Sequence, residues 1–134
     1  MKMPALFIPS SLTDPMRPVD LGDTSSLKSL RDLICCSIVE RVRPADDVVE
    51  HLPPMALWID EEGRCKNSPV LNVRASVLAG QEIYGNVVVC GEREYDIAPL
   101  NIPNAGRFLA LLTMEAAHIQ SLIDSGQFVP AGEI

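Results

Sequence analysis

Aromatic side chains are scarce in this sequence, since phenylalanine, tryptophan and tyrosine together make up 4% of the 134 residues. Aliphatic residues must therefore supply the hydrophobic core, and apolar residues as a whole make up 47% of the chain. A chain of this length buries about two-thirds of the surface that its unfolded form exposes, which supports a stable core without disulfides or metals. We expect one domain spanning residues 1–134.

Long apolar runs and metal-binding cysteine pairs are also lacking. The apolar N-terminal run is interrupted by Pro4 and Pro9, so we expect no secretory leader, and no stretch reaches the roughly 20 apolar residues of a membrane span. The four cysteines, at positions 35, 36, 65 and 90, do not have the C-x2-4-C spacing of zinc sites. We predict a cytoplasmic protein with reduced thiols, no membrane partner, no metal and no cofactor.

Basic residues are outnumbered by acidic residues, 11 to 18, so the net charge is -7. Phosphate backbones and anionic membrane surfaces repel an acidic chain, and we expect no direct binding of nucleic acid. The acidity also leaves open that the protein imitates a polyanion and occupies a partner's basic groove. Ordinary solubility explains the same charge.

The N-terminal part of the sequence predicts three strands and a helix. Residues 3–8 form an apolar run typical of a strand, and residues 17–21 form a second, in which Pro18 suits a sheet edge. Leucines at helical spacing follow three candidate N-cap residues and predict a helix over Thr24–Cys36. A further strand is expected from about Ser37, ended by Pro44.

The middle of the sequence predicts a buried strand, a turn and a short helix. Residues 55–60 have the continuous apolar centre of a central strand. Gly63 is expected to take a positive φ in the turn that follows, with residues 64–67 as the returning strand. Residues 72–80 predict a short helix with Asn72 as N-cap and Gly80 at the C-terminal cap.

The last part of the sequence predicts a strand and the longest helix. Residues 82–90 form the strand, with Gly85 marking a bulge or a close backbone approach. Apolar residues near period 3.6 predict a helix over about 104–124, closed by Gly126. This helix has either a second apolar face for a partner or another copy, or a wide contact with the core.

Together these elements indicate an α+β fold. We expect a mostly antiparallel sheet of about five strands, with the two main helices, 24–36 and 105–124, packed on one face.

The order WIDEEG, then LN-x-x-A-x-x-L, then I-x-GNVVV-x-G, within residues 57–92, resembles the small phage- and plasmid-borne proteins of the domain of unknown function 3846 family. The likeness covers about residues 26–100, and this chain departs from it by extending a long helix past residue 103. The resemblance implies a mobile-element setting and a compact unit of helices and strands, with no activity attached. It marks Asp60, Glu61, Asn72 and Asn86 as motif positions, which we take as candidate binding residues.

The sequence contains only weak local motifs that could form a catalytic site. Asp60, Glu61 and Glu62 offer clustered oxygen ligands for a cation, but carboxylates in a turn point apart, so we interpret them as hydrated. GNVVVCGE lacks the glycine order of a phosphate loop. We predict no catalytic residue. An enzyme is our third choice and requires Asp60, Glu61, His51 and His118 to converge in space.

The leading hypothesis is a non-catalytic accessory protein of a phage or other mobile element. It binds a host macromolecule, most simply a protein, and inhibits a defence or regulatory system. The alternative is a protein that binds or sequesters a small, nucleotide-type ligand in a pocket between subunits. A homo-oligomer formed through the C-terminal helix is compatible with both.

Overall fold

The computed structural model describes residues 3–22, 26–49, 52–63, 69–93 and 96–130. The described residues form ten elements in chain order: β1 (Pro4–Ile8), β2 (Arg17–Asp20), α1 (Ser26–Ile34), β3 (Val39–Val42), α2 (Asp46–Val49), β4 (Met55–Asp60), α3 (Val73–Ala79), β5 (Val87–Arg93), β6 (Asp96–Ala98) and α4 (Ala105–Asp124). Within these ranges, no helix combines the length and apolar composition that a membrane span requires.

One six-stranded sheet, antiparallel at every pairing, organises these elements. The strand order is β2-β1-β5-β4-β3, and β6 pairs with the end of β5, beyond the part that pairs with β1. The α+β class and the mostly antiparallel sheet are thus confirmed, with a short sixth strand added. Residues 55–60 lie inside the sheet between β5 and β3, as predicted for a central strand.

Two apolar clusters cover the two faces of the sheet, because successive side chains of a strand point to opposite faces. Alternate residues of β1 and β5 form one cluster with α3 and α4: Leu6, Ile8, Val87, Val89, Leu78 and Leu112. The intervening residues form the other cluster with α1: Ala5, Phe7, Val88, Cys90, Leu30 and Ile34. The prediction that the two main helices lie on one face is therefore not confirmed, since α1 and α4 belong to opposite clusters.

The predicted helix ends are visible where the chain is described. The side-chain oxygen of Asn72 accepts the N–H of Ala75 at 3.0 Å, and Gly80 ends α3 with a φ of 71°. The long helix spans Ala105–Asp124 as predicted, and Gly126 follows it with a φ of 79°. In α1, Cys35 ends the helix in the left-handed region with a φ of 64°.

Two glycines act differently from the prediction. Gly63 does not take a positive φ; a Cβ there would lie 2.7 Å from the carbonyl oxygen of Tyr84, so this turn needs glycine for close packing of two backbone segments. Gly85 has a φ of 90° and open space around it, and β5 begins after it, at Val87. A left-handed residue interrupts a regular strand, which is why the strand predicted from residue 82 starts late. The returning strand predicted at 64–67 lies outside the described residues.

Candidate functional site

A cleft lies where three strands of the sheet end together. β3 ends at Val42, β4 begins at Met55, and β5 ends at Arg93; because these neighbouring strands are antiparallel, these termini lie at one end of the sheet. The cleft has a volume of about 1010 Å³. Its described lining comprises Arg41, Arg43, Pro44, Leu52, Pro53, Pro54, Met55, Ala56, Glu92, Arg93, Ala98, Pro99 and Asn101.

Positive charge is concentrated in this cleft. Its described lining contains three arginines and one glutamate, although the whole chain carries a net charge of -7. The guanidinium of Arg41 pairs with the carboxylate of Glu92 across the sheet end. Arg43 and Arg93 are both exposed. An arginine presents several N–H donors in a planar fork that matches a carboxylate or a phosphate, so this lining is suited to an anion.

The walls between the arginines are apolar and stiff. Four prolines contribute, at positions 44, 53, 54 and 99, and Leu52, Met55 and Ala98 add aliphatic surface. Proline fixes its own φ and restricts the residue before it, so the rim loses little conformational freedom when a ligand binds. The cleft therefore combines a preformed apolar surface with guanidinium groups at its edge.

Two of the four candidate binding residues, Asp60 and Glu61, lie at the other end of β4. Asp60 is 8% exposed, and its Oδ1 accepts the backbone N–H of Glu62 at 2.9 Å. It lines a smaller cleft of about 550 Å³ together with Glu62 and the adjacent Cys35 and Cys36. In the ranges that the structure describes, no three histidine, cysteine or acidic side chains are arranged to hold a metal ion.

The other two candidates, Asn72 and Asn86, hold the β1–β2 connection against the start of α3. The side-chain amide of Asn72 donates to the carbonyl oxygens of Ile8 and Gly85, both at 2.9 Å. The side-chain oxygen of Asn86 accepts the N–H of Ser10 at 3.0 Å. Asn72 is fully buried, so its structural role is visible. A ligand-binding role for these four residues stays a prediction.

Arg74 completes this anchor and was not singled out from the sequence. Its Nη2 donates to the carbonyl oxygens of Pro9, Ser11 and Asp14, at 2.8 to 2.9 Å, from a side chain that is 3% exposed. Burial lowers the pKa of the guanidinium, and the negative charge of Asp14 partly offsets that shift. Its Nε is buried with no partner among the described atoms. The local signal for Arg74 was weak, because an arginine in a short helix normally faces solvent.

The histidines and cysteines do not come together in the described part of the chain. His118 is exposed on α4, while Cys90 is buried in the cluster on the opposite face of the sheet. Cys35 and Cys36 follow α1, on that opposite face as well. His51 and Cys65 lie outside the described residues. The enzyme hypothesis requires Asp60, Glu61, His51 and His118 to converge, and the described residues do not test that condition because His51 is not among them.

The fold and the cleft define a small α+β protein with helices on both faces of an antiparallel sheet. The chain belongs to the family described as domain of unknown function (DUF3846), whose model matches residues 3–113. The match begins before the predicted region of 26–100 and continues into α4, so the first part of the long helix lies within the family pattern. This confirms the family resemblance read from the residues between 57 and 92.

Two further comparisons complete the picture. No curated protein matches the chain. Among solved structures, the chain is similar to one described as the crystal structure of small RNA methyltransferase HEN1, with a TM-score of 0.59 and 18% sequence identity. The similarity covers 75% of this chain and only 15% of that one. At this identity the likeness shows the fold alone.

Sequence reasoning missed the arginine cleft because its parts are distant along the chain. Arg41 and Arg43 are two residues apart and so project to the same side of an extended segment, which was a usable local signal. Arg93 lies 50 positions further on and reaches the same end only through the pairing of β3 with β4 and of β4 with β5.

Proposed function

We propose that the protein is a non-catalytic binding protein whose arginine-lined cleft takes an acidic segment of a partner protein. The observation that carries this proposal is the convergence of Arg41, Arg43 and Arg93 on one apolar cleft in a chain of net charge -7. The cleft is positively charged and has stiff apolar walls, whereas the molecule as a whole is negatively charged. Such a cleft is suited to a ligand that carries both carboxylates and aliphatic groups.

A protein partner accounts for the cleft better than a nucleic acid. The described lining contains four prolines and aliphatic side chains but no aromatic ring on which a base would stack. The remaining charge of the chain is strongly negative, which opposes the long-range attraction that a phosphate backbone needs. A short acidic peptide makes its contacts inside the cleft and does not extend over the acidic surface.

The biological part of the proposal follows from the family resemblance. We place the protein in a phage or other mobile element, as an accessory factor that inhibits a host defence or regulatory system. The partner is then a host protein with an exposed acidic segment. The family description carries no activity, and the likeness to an RNA methyltransferase at 18% identity brings no chemistry to this chain.

Binding of defined probes tests the proposal. A fluorescent peptide of alternating glutamate and leucine is titrated against the wild-type protein and against the Arg43→Glu/Arg93→Glu double variant, alongside a glutamine-leucine peptide of equal length. We expect the acidic peptide to bind more tightly than the neutral one, and the double variant to lose about tenfold or more in affinity. The affinity should also fall as salt is added.

A matched control separates the cleft from overall charge. The Lys28→Glu/Arg31→Glu double variant changes the net charge by the same amount on α1, none of whose residues belongs to the described lining of the cleft. It should keep nearly wild-type affinity. Equal loss in both double variants, or equal affinity for acidic and neutral peptides, contradicts the proposal. Tighter binding of a single-stranded oligonucleotide than of the acidic peptide would assign the cleft to nucleic acid instead.

A small, nucleotide-type ligand is the second candidate for the same cleft. Its volume of about 1010 Å³ is large enough for such a molecule, and the arginine forks match phosphate oxygens as well as carboxylates. A panel of nucleoside mono-, di- and triphosphates in a thermal-shift assay distinguishes the candidates. A shift that grows with phosphate number and disappears in Arg43→Glu/Arg93→Glu favours the nucleotide.

A further inference from the structure

The outward side of α4 carries an uncovered heptad pattern. Of the twenty residues of this helix, Leu112 and Ala116 are the buried ones. The opposite side carries six exposed residues at alternating spacings of three and four, which we call the α4 seam: Arg107, Ala110, Met114, Ala117, Ser121 and Asp124. This spacing matches the a/d repeat by which two helices pack along their length, with Ala110, Met114 and Ala117 as its apolar centre and charged residues at its two ends.

We propose that the α4 seam pairs with the same seam of a second copy, in antiparallel orientation about a two-fold axis between residues 115 and 116. In this register, Met114 packs on the partner's Ala117 and Ala110 packs on the partner's Ser121. At each end, Arg107 meets the partner's Asp124. Every layer then joins an a position of one helix to a d position of the other, as antiparallel coiled coils require.

The side chains of the α4 seam are complementary to the same seam of a second copy, which favours a second copy as the partner. Large and small side chains alternate about the axis, so each Met114 has an alanine to cover, and serine and alanine allow the helices to approach closely. The two charges at the ends have opposite signs and become neighbours only in the antiparallel pair. A parallel pair would place Arg107 against another Arg107, which like-charge repulsion disfavours.

The exposed apolar area supports the same conclusion. Met114 is 68% exposed and Leu111, which flanks the seam, is 51% exposed. In the antiparallel register Leu111 lies beside the partner's His118, so both copies bury this leucine as well. The α4 seam is independent of the arginine cleft at the end of the sheet, and failure of either proposal leaves the other intact.

Charge reversal tests the pairing in a way that a single chain cannot imitate. Arg107 and Asp124 lie 17 positions apart, about 26 Å along the helix axis, so they do not interact within one chain. In analytical ultracentrifugation we expect wild-type dimers, and about a tenfold weaker dimer for Arg107→Asp or for Asp124→Arg at low salt. The double variant Arg107→Asp/Asp124→Arg should restore the dimer, because the pair reforms with its signs exchanged.

Two further variants locate the contact. Met114→Glu places a carboxylate at the centre of the seam and should leave the chain monomeric, whereas Glu115→Lys, on the same helix outside the seam, should leave the dimer unchanged. Circular dichroism confirms that each variant is folded. Three results would each overturn the proposal: a wild-type chain that stays monomeric at its highest soluble concentration, a dimer that is insensitive to Met114→Glu, or a double reversal that does not restore association. A monomeric wild-type chain would also be the result if another protein covers the seam.

Discussion

Asn72 joins the start of α3 to the end of β1, because its side-chain amide donates to the carbonyl oxygen of Ile8, 64 residues earlier in the chain, at 2.9 Å. The same amide donates to the carbonyl oxygen of Gly85, and the side-chain oxygen caps the N–H of Ala75. One buried side chain thus satisfies three backbone groups from three separate segments.

Replacing Asn72 should therefore be costly. Asn72→Ala leaves one buried carbonyl group, one partly buried carbonyl group and one helix N–H without these partners, and we expect a loss of about 3 kcal/mol in the free energy of unfolding. Urea denaturation measures the change. Asn101→Ala, an exposed asparagine, serves as the control and should stay within about 0.5 kcal/mol of wild type. Equal stability of the two variants would refute this account of Asn72.

Alanine substitution at Gly91 and at Gly106 should change the stability of the protein in opposite directions. A Cβ on Gly91 would overlap the carbonyl oxygen of Pro99 and lie 3.0 Å from that of Ala98, both of which are backbone atoms. Gly91→Ala should push β6 from β5 and cost about 2 kcal/mol or more. Gly106 in α4 has open space around it, so Gly106→Ala should stabilise the protein by about 0.5 kcal/mol. Thermal unfolding of the two variants compares the signs directly.

Cys90 should be inert in the folded state. It is fully buried, and burial raises the pKa of its thiol to about 12, so little thiolate is present at neutral pH. Cys35 is exposed at the end of α1. Timed alkylation with iodoacetamide at about pH 8, close to the reference pKa of a free thiol, followed by mass mapping should label Cys35 and spare Cys90 until the protein unfolds. Equal labelling rates would contradict the burial.

The same thiol makes stability depend on pH above its unfolded pKa. In the unfolded chain Cys90 ionises near pH 8.5 to 9, whereas burial in the folded protein raises the pKa of its thiol to about 12. The folded state therefore binds more protons in this window, and the free energy of unfolding should fall as pH rises, by up to about 1.4 kcal/mol per pH unit from this group. Cys90→Ala should show a shallower fall between pH 8.5 and 10.5.

Glu92 should limit the affinity of the arginine cleft for anions. Its carboxylate pairs with Arg41 inside the lining, so it competes with a ligand carboxylate for that guanidinium. Glu92→Gln removes the competing charge, and we expect two- to fivefold tighter binding of the acidic peptide, about 0.5 to 1 kcal/mol. Glu115→Gln, an equal change of charge at an exposed position of α4 outside the described lining, is the control. Weaker binding by Glu92→Gln would show that Glu92 orients Arg41 for the ligand.

Elements with a strong local signal were predictable from the sequence. The caps of α3 are chemical choices at single positions, asparagine for its side-chain acceptor and Gly80 for a positive φ, and both occupy the expected places. The long helix α4 was predictable because twenty residues of regular spacing leave little ambiguity. The start of β5 was not predictable. Valines favour a strand and extend the predicted strand back across Gly85, but the positive φ of Gly85 prevents a regular strand from starting before Val87.

The sequence contains a signal for the placement of the helices on both faces of the sheet, but the prediction did not use it. Val87, Val88, Val89 and Cys90 are all within 1% of full burial, and a strand that is apolar at four successive positions needs cover on both faces. That run indicates helices on opposite sides of the sheet. The cleft depended on strand order, which local patterns do not contain, so the meeting of Arg41 with Glu92 was beyond sequence reasoning.

The central position of β5 fixes when the chain can fold. Its partners are residues 4–8, 55–60 and 96–98, so β1 pairs with a strand that is completed more than 80 residues later in the chain. Contacts between such distant segments slow folding, because a long loop must close before they form. During synthesis β1 and β2 have no central strand to join until β5 has left the ribosome exit tunnel, so the open edge of the β1–β2 hairpin is exposed to aggregation for that interval.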